Sequence, residues 1–225
     1  MKRWHFFLRQ PLHGILLLAL CAGLWLSSRL PAFRVTHGSL ITVGAIVVVS
    51  AIIGVLHQLW VLVFWRLELG FSAISRCFGN SGFTIYSIGF VALLTARLAS
   101  IVTSAALNGG TLAVSLPIRL ILAGIIAILN IWGLYSVLRY FGILRAFGLD
   151  HFDPSIRKKG LVKGGAYRYT RNVMYLFVLP VFFAPGLLWG SLAATLLGVF
   201  HFFTVWIHYY CTELPDMALL YSESE

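Results

Sequence analysis

A dense group of polar side chains lies within residues 164–176, directly before a long apolar run. Arginine can bind an anion, tyrosine can stack on a ring or form hydrogen bonds, and asparagine both donates and accepts. These residue types follow one another here as Tyr167, Arg168, Arg171, Asn172 and Tyr175. The segment is therefore suited to a ligand that combines an anionic group with an aromatic ring.

A glutamate on the far side of the apolar run adds a negative charge to this set. Glu213 offers a carboxylate that can hold an ammonium group or hydroxyls, or accept a proton from an attacking amine. Whether it meets Arg171 depends on the elements between them.

The composition defines the surroundings of these residues. The chain has 225 residues, of which 60% are hydrophobic and only 11% are charged, whereas soluble domains carry about 25% charged residues. This excludes a soluble globule and predicts an integral membrane protein. No repeat or soluble domain is evident, so residues 1–225 are expected to form a single membrane domain.

The apolar runs set the number of spans. A transmembrane helix needs roughly 20 apolar residues, and four stretches qualify, namely 12–28, 39–65, 83–107 and 112–138. The runs are continuous rather than alternating, which favours helices over a barrel. We expect an all-α polytopic bundle, with four spans in residues 1–138 and a ligand segment, a helical hairpin and a tail in residues 139–225.

The last apolar run, residues 174–211, is too long for one span. Because Pro185 and Gly186 can break a helix, we predict a hairpin with a short helix at 174–184 and a full span at 188–210. The hairpin would return Glu213 to the face that carries Arg171.

Lysine and arginine residues predict the orientation. Eight of them lie between residues 139 and 171, and Lys2, Arg3 and Arg9 precede the first span. The positive-inside rule then places both termini on the cytoplasmic side. The membrane itself would be either a bacterial inner membrane or the endoplasmic reticulum. A signal peptide is the competing interpretation of residues 2–28, but no small-residue cleavage site precedes Arg29.

This excess of basic residues has simple explanations. Attraction to anionic lipid accounts for the loop lysines, and interfacial arginines and an aromatic belt would account for the patch at 164–176. The absence of a recognisable binding module argues against a nucleic-acid partner. Three scattered cysteines predict neither a disulfide framework nor a metal site.

Polar residues within the spans need partners. Arg97 would cost about 2.5–3.5 kcal/mol in lipid, so it should face the interior, where it contacts either substrate or a helix carbonyl. Other polar residues within the spans would either form contacts between helices or line an acceptor cavity, namely His57, Gln58, Asn130, His201 and His208. His151 is expected to be a solvated loop residue.

From residue 160 onward the chain resembles the superfamily of isoprenylcysteine carboxyl methyltransferases and phospholipid N-methyltransferases. The resemblance rests on LV at 161–162, GAY at 165–167 and RNVMY at 171–175, followed after the hairpin by ELPDM at 213–217. It extends over about residues 133–225. The first three spans resemble nothing specific beyond membrane helices.

The resemblance implies a methyltransferase that uses S-adenosyl-L-methionine from the cytoplasm and a lipophilic or small acceptor bearing a carboxylate, an amine or a thiol. Arg171 and Glu213 would be the catalytic residues. The cofactor-binding residues would be Val162, Gly165, Tyr167, Arg168, Asn172, Tyr175 and Glu213.

Three departures from the family pattern leave alternatives open. Val173 replaces a proline, Leu214 replaces a second glutamate, and Phe177 replaces a glycine and would fill space that a cofactor needs. A diverged, non-catalytic membrane protein is one alternative. The other is an NADPH-dependent sterol-type reductase, which shares a related C-terminal motif, although Met174 and the residues at 165–167 favour methyl transfer.

Overall fold

The computed structural model describes residues 6–37, 41–158, 160 and 162–221. The protein is 83% helical, and no strand occurs in the described part. Among the described residues, five helices are long and apolar enough to cross a membrane, which confirms the predicted all-α polytopic bundle. Lys2, Arg3, Lys159, Leu161 and the first residue of the predicted second span, Ser39, lie outside the described residues.

Long helices alternate with clusters of short ones. The first half contains α1 (Gln10–Ser27), α2 (Val43–Phe71), α3 (Ala73–Phe78), α4 (Gly82–Leu107) and α5 (Leu116–Ser136). The second half contains α6 (Ile143–Ala146), α7 (Leu149–Phe152), α8 (Pro154–Arg157), α9 (Ala184–Trp189), α10 (Leu192–His208) and α11 (Leu214–Leu220). Widened turns at Val137–Phe141, Met174–Val178 and Tyr209–Glu213 and tight turns at Pro31–Arg34, Gly79–Ser81, Gly165–Arg168 and Leu179–Phe183 join them.

The candidate spans agree with the predicted runs. They are Gln10–Ser27, Val43–Phe71, Ala73–Leu107, Leu116–Phe141 and Leu192–Leu220, and residues Met174–Trp189 form a shorter apolar helix before the last one. The four spans and the hairpin predicted from the sequence are therefore present. We call residues Met174–Trp189 the short arm.

The predicted break at Pro185 and Gly186 is wrong. Both residues lie inside α9, where Pro185 takes a first-turn position that needs no backbone N–H. The turn comes at Gly190, whose φ of +62° suits glycine, and Ser191 caps the start of α10. Gly186 instead permits close packing, since an added Cβ would lie 2.4 Å from Thr195 Oγ1.

Asn108 fixes the face at which the hairpin turns. Its buried side chain donates to the carbonyls of Ala32 and Val35 and accepts from Ser191 Oγ and the Ala193 N–H. One amide thus joins the loop after α1, the end of α4 and the start of α10. This stabilises the relative position of three spans.

The opposite face carries residues 137–171, and we call it the site face. The Arg9 guanidinium donates to the Tyr210 carbonyl there, so the start of α1 and the end of the last span share this face. Between the faces, α10 packs against α1, α2, α4 and the short arm, whereas α5 packs chiefly against the short arm. This arrangement leaves a gap between α4 and α5 towards the site face, with Phe90 and Leu94 on one side and Leu134 and Val137 on the other.

Candidate functional site

A cavity of about 550 Å³ opens at the site face, and we call it the outer cavity. Residues from the 137–171 segment, the short arm and the last span enclose it. It is lined by Phe141, Arg145, Val162, Tyr167, Arg171, Asn172, Met174, Tyr175, Tyr209, Glu213, Leu214, Met217, Ala218 and Tyr221. The hairpin therefore brings Glu213 to the same cavity as Arg171, as the sequence predicted.

The structure places most of the predicted site residues on this wall. Six of them line the outer cavity, namely Val162, Tyr167, Arg171, Asn172, Tyr175 and Glu213. Two do not: Arg168 is exposed on the surface beside it, and Gly165 lies behind it.

Gly165 has a positional role. Its φ is +57°, and an added Cβ would lie 2.7 Å from Ser136 Oγ and 2.8 Å from the Tyr140 ring. The Ser136 hydroxyl in turn accepts a hydrogen bond from the Ala166 N–H. Glycine at this position therefore lets the tight turn Gly165–Arg168 lie against the end of α5, which aims Tyr167 into the cavity.

Tyr175 and Glu213 form the centre of the site. The Tyr175 hydroxyl donates a hydrogen bond to Glu213 Oε2. Tyr175 is buried and Glu213 is half-buried. Each lies on a widened helical turn, Met174–Val178 and Tyr209–Glu213, a local geometry that is frequent at functional sites. In the described part of the chain nothing else hydrogen-bonds to Glu213, so its second oxygen remains available to a ligand.

Aromatic rings form another wall of the outer cavity. Tyr167 stacks on Phe141 with ring centres 5.3 Å apart and planes 15° apart, and the Arg145 guanidinium lies 4.9 Å from the centre of Phe141. Burial raises the pKa of Tyr167, so its hydroxyl stays protonated. This wall offers a flat surface and a hydroxyl donor to a heterocyclic ring.

A second cavity of about 250 Å³ extends from the outer cavity between the spans, and we call it the inner cavity. The two cavities share six residues, namely Phe141, Arg145, Met174, Tyr175, Glu213 and Met217. The inner cavity is otherwise mostly apolar, with Phe90 and Leu94 from α4 and Leu134 and Val137 from α5. The Tyr175–Glu213 pair thus lies where the two cavities meet.

The deep end of the inner cavity is polar. Arg97, His57 and Gln58 line it, whereas His208 lines the cavity nearer the site face, where its ring lies 5.5 Å from that of Trp65. As expected, Arg97 faces the interior and is only 1% exposed, with its guanidinium 2.6 Å from Thr204 Oγ1. Two further polar residues of the spans have structural partners: His201 Nε2 bonds to the Ser50 hydroxyl, and Asn130 donates to the Val178 carbonyl.

A network of buried charges supports the site face. Arg66 Nε lies 3.1 Å from Asp216 Oδ1 with both side chains fully buried, and Arg145 Nε lies 3.6 Å from Asp150 Oδ2. Tyr221, directly after α11, connects this helix to the Arg145–Asp150 pair, because its hydroxyl donates to Asp150 and accepts from Arg145. We call this network the charge cluster; it ties α2, α7 and α11 together.

His151 belongs to the charge cluster, and the expectation of a solvated loop residue is wrong. Its ring lies between the carboxylates of Asp150 and Asp216, at 3.7 and 3.6 Å, and stacks on Trp65 at 4.0 Å. Burial alone would lower its pKa, but the two carboxylates outweigh burial and raise the pKa of His151 to about 9. Burial opposes ionisation of Asp150 as well, yet His151, Tyr221 and Arg145 keep its pKa low.

The charge cluster could not be predicted from local sequence, because it joins side chains from separate short and long helices. Arg66 lies 150 residues before its partner Asp216 in the chain. Arg145 lies only five residues before Asp150, but it is one of the eight basic residues between 139 and 171 that were attributed to orientation. One signal was present, since Asp216 lies inside the ELPDM segment that carries the family resemblance. A carboxylate in an apolar segment needs a buried cation.

The departures from the family pattern have local explanations. Phe177 does not enter either cavity; it packs against Trp132 and over Gly133, so the expectation that it fills cofactor space is wrong. Val173 is fully buried among Val137, Ala166 and Tyr167. Leu214 lies on the rim of the outer cavity and is 39% exposed.

The fold and the site define an integral membrane protein with one cavity at a membrane face and a second, confluent cavity among its helices. Residues 118–224 match the model of the phospholipid methyltransferase family. The matched segment contains every residue that lines the outer cavity, and the predicted likeness to the membrane methyltransferase superfamily is confirmed. No curated protein and no solved structure is significantly similar to the chain.

Proposed function

We propose that the protein transfers a methyl group from S-adenosyl-L-methionine, bound in the outer cavity, to a lipophilic acceptor that occupies the inner cavity. The family match supports a membrane methyltransferase. The observation that carries the finer proposal is the meeting of the two cavities at the Tyr175–Glu213 pair. A water-soluble donor and an apolar acceptor can then meet without either one crossing the protein.

The residues of the outer cavity fit the donor group by group. The donor has a carboxylate, an ammonium group, ribose hydroxyls, a purine and a sulfonium that releases its methyl group to a nucleophile. Arg171 would bind the carboxylate, Glu213 would bind the ammonium group or the ribose hydroxyls, and Tyr167 would support the purine. Asn172 supplies a further donor and acceptor.

Catalysis by these residues rests on position and charge. The hydrogen bond from Tyr175 holds the Glu213 carboxylate in one orientation, and fixed alignment of reactants supplies up to about 7–11 kcal/mol in favourable reactions. A carboxylate or thiolate acceptor needs no base, whereas an amine acceptor would pass its proton to Glu213. The apolar walls of the inner cavity exclude water from the acceptor side.

The acceptor would reach the site from the bilayer. Leu134 and Ile143 line the inner cavity and are 38% and 42% exposed, next to the gap between α4 and α5. The excess of basic residues at the site face supports its assignment to the cytoplasm, where the donor is synthesised. The acceptor type, a carboxylate, an amine or a thiol, is left to the assay.

The first test is ligand binding by detergent-purified protein. S-adenosylhomocysteine at a hundredfold excess over its Kd should raise Tm by about 5–10 °C. Glu213→Gln and Arg171→Gln should remove this shift, because each substitution deletes a charge that faces the donor. Arg168→Gln is the matched control, since it removes an exposed arginine from the same segment without touching the cavity.

The other outcomes identify the alternatives. A shift with NADPH and none with S-adenosylhomocysteine would favour a reductase of the sterol type, and no shift with either would favour a non-catalytic membrane protein. Incorporation of a labelled methyl group into extracted lipids or added lipophilic thiols, amines and acids would then identify the acceptor.

A further inference from the structure

The deep end of the inner cavity holds a buried positive charge for which the described part of the chain provides no acidic partner. The Arg97 guanidinium contacts only neutral groups: Thr204 Oγ1 at 2.6 Å, His57 Nδ1 at 3.4 Å and the Gly54 carbonyl at 3.4 Å. Among the described residues no carboxylate forms an ion pair with it. A guanidinium in an apolar environment without a counter-charge is unfavourable.

Two N–H groups at this end also lack an acceptor. Because arginine can only donate, its contact with His57 Nδ1 makes that nitrogen the acceptor and places the proton of a neutral ring on Nε2. His57 Nε2 and Arg97 Nε are both buried, and neither has a hydrogen-bond partner in the described part of the chain. Both side chains line the inner cavity and are at most 3% exposed.

The remaining surface of the cavity limits what can satisfy these groups. It is mostly apolar between Arg97 and the Tyr175–Glu213 pair. Thr204, which contacts Arg97, precedes Glu213 by nine residues in the last span, which corresponds to roughly 13 Å at about 1.5 Å per residue. A ligand that reaches both ends therefore has an apolar body of about this length.

We infer that the inner cavity binds an amphipathic acceptor whose anionic group pairs with Arg97 and His57 at the deep end. The inference rests on the proposed function and names the substrate class of the same site. The acceptor is then an elongated lipophilic acid, a carboxylate or a phosphate ester, whose methyl-accepting atom lies at the opposite end beside Tyr175. The anion neutralises the guanidinium and accepts hydrogen bonds from the unsatisfied N–H groups of Arg97 Nε and His57 Nε2.

The test uses a photoreactive probe with a chain of the inferred length. Decanoic acid with a terminal diazirine should cross-link to residues near Met174 or Met217, because an acid group at Arg97 directs the chain end to the junction of the cavities. The corresponding alcohol should label these peptides about tenfold less, since it lacks the charge-assisted hydrogen bonds. Unlabelled decanoate, but not decanol, should compete.

Substitutions assign this selectivity to Arg97. Arg97→Gln should lower labelling by the acid to the level of the alcohol, and Arg97→Lys should retain part of it. Arg119→Gln is the matched control, because Arg119 also lies in a span and bonds to a backbone carbonyl but lines neither cavity. Equal labelling of the wild-type protein by acid and alcohol would overturn the inference, even if the variants do not fold.

The thermal shift with S-adenosylhomocysteine separates this inference from the proposed function. A shift without acid selectivity would leave the methyltransferase proposal in place and overturn the anionic acceptor. Acid selectivity without a shift would establish an anion-binding cavity in a protein that does not bind the donor.

Discussion

Phe177 shows how a single residue can depart from a family pattern without closing the site. The bulk that replaces a glycine is accommodated by a glycine on the neighbouring helix: a Cβ added to Gly133 would lie 2.8 Å from the Phe177 Cβ. Phe177 also contacts Trp132, with ring centres 5.2 Å apart. The pair Gly133–Phe177 therefore sets the separation of α5 and the short arm.

This pairing gives a prediction at the residue scale. Gly133→Ala should destabilise the protein by about 1–3 kcal/mol, because the new methyl group has no space. In combination with Phe177→Gly the substitution should have a smaller effect than in the wild-type background. Unfolding in detergent of the two single variants and the double variant measures the coupling, and simple additivity would contradict the pairing.

Among the helices, α11 is held in position by the charge cluster. Asp216 is held by Arg66 and by His151, and Tyr221 at the end of α11 is held by Asp150 and Arg145. Since Leu214, Met217 and Tyr221 line the outer cavity, this cluster also shapes the cavity wall. Its contribution depends on the charge of His151.

The stability of this element should depend on pH in a defined window. The folded pKa of His151 is about 9, above the unfolded value of 6.5. The stabilisation, on the order of 3 kcal/mol, is therefore fully present below about pH 6.5 and is lost as the pH rises to 9. We expect protease cleavage within α11 to increase from pH 7 to 9.5.

The control for this prediction is His151→Gln, which should remove the pH dependence while lowering stability at pH 6.5. His37→Gln should leave the profile unchanged, because His37 is exposed at the opposite face and contacts the Gly109 carbonyl. Cleavage that does not vary with pH in the wild-type protein would show that His151 does not carry the charge assigned to it.

Elements differ in how well the sequence predicts them. The long spans follow from apolar runs, because hydropathy and length alone define a helix in lipid. The turn of the hairpin was misplaced, because proline is unfavourable in a helix interior but acceptable in a first turn, and the sequence does not show where that turn begins. Gly190 and Ser191, which form the turn, also are residue types that favour a turn and a helix start, but no proline marks them.

For the whole molecule, the orientation is open to direct measurement. Cys77 is exposed on α3 at the site face, whereas Cys211 is buried and Cys21 is half-buried. A membrane-impermeant maleimide should therefore label Cys77 only from the cytoplasmic side, in inverted vesicles and not in right-side-out ones. Cys77→Ser should abolish the labelling, and labelling of right-side-out vesicles would reverse the proposed topology.

The site was predictable to the extent that local sequence defines it. Glu213 and five of the predicted residues at 162–175 line one cavity because a hairpin returns the chain to its starting face, which the span count implies, whereas Gly165 and Arg168 do not reach it. The inner cavity was not predictable in shape. It depends on how α2, α4 and α5 pack side by side, and contacts between distant spans such as that of Arg97 with Thr204 leave no local pattern.

If the acceptor enters through the gap between α4 and α5, the rate of turnover depends on the concentration of the acceptor within the membrane. An acceptor that enters there comes from the acyl-chain region, so its concentration is a mole fraction in the membrane rather than an amount per volume of solution. Diluting the acceptor with inert lipid at constant total amount should slow turnover, whereas diluting the vesicles with buffer should not. Because the donor arrives from water, turnover should respond to its concentration in the buffer and not to the amount of inert lipid.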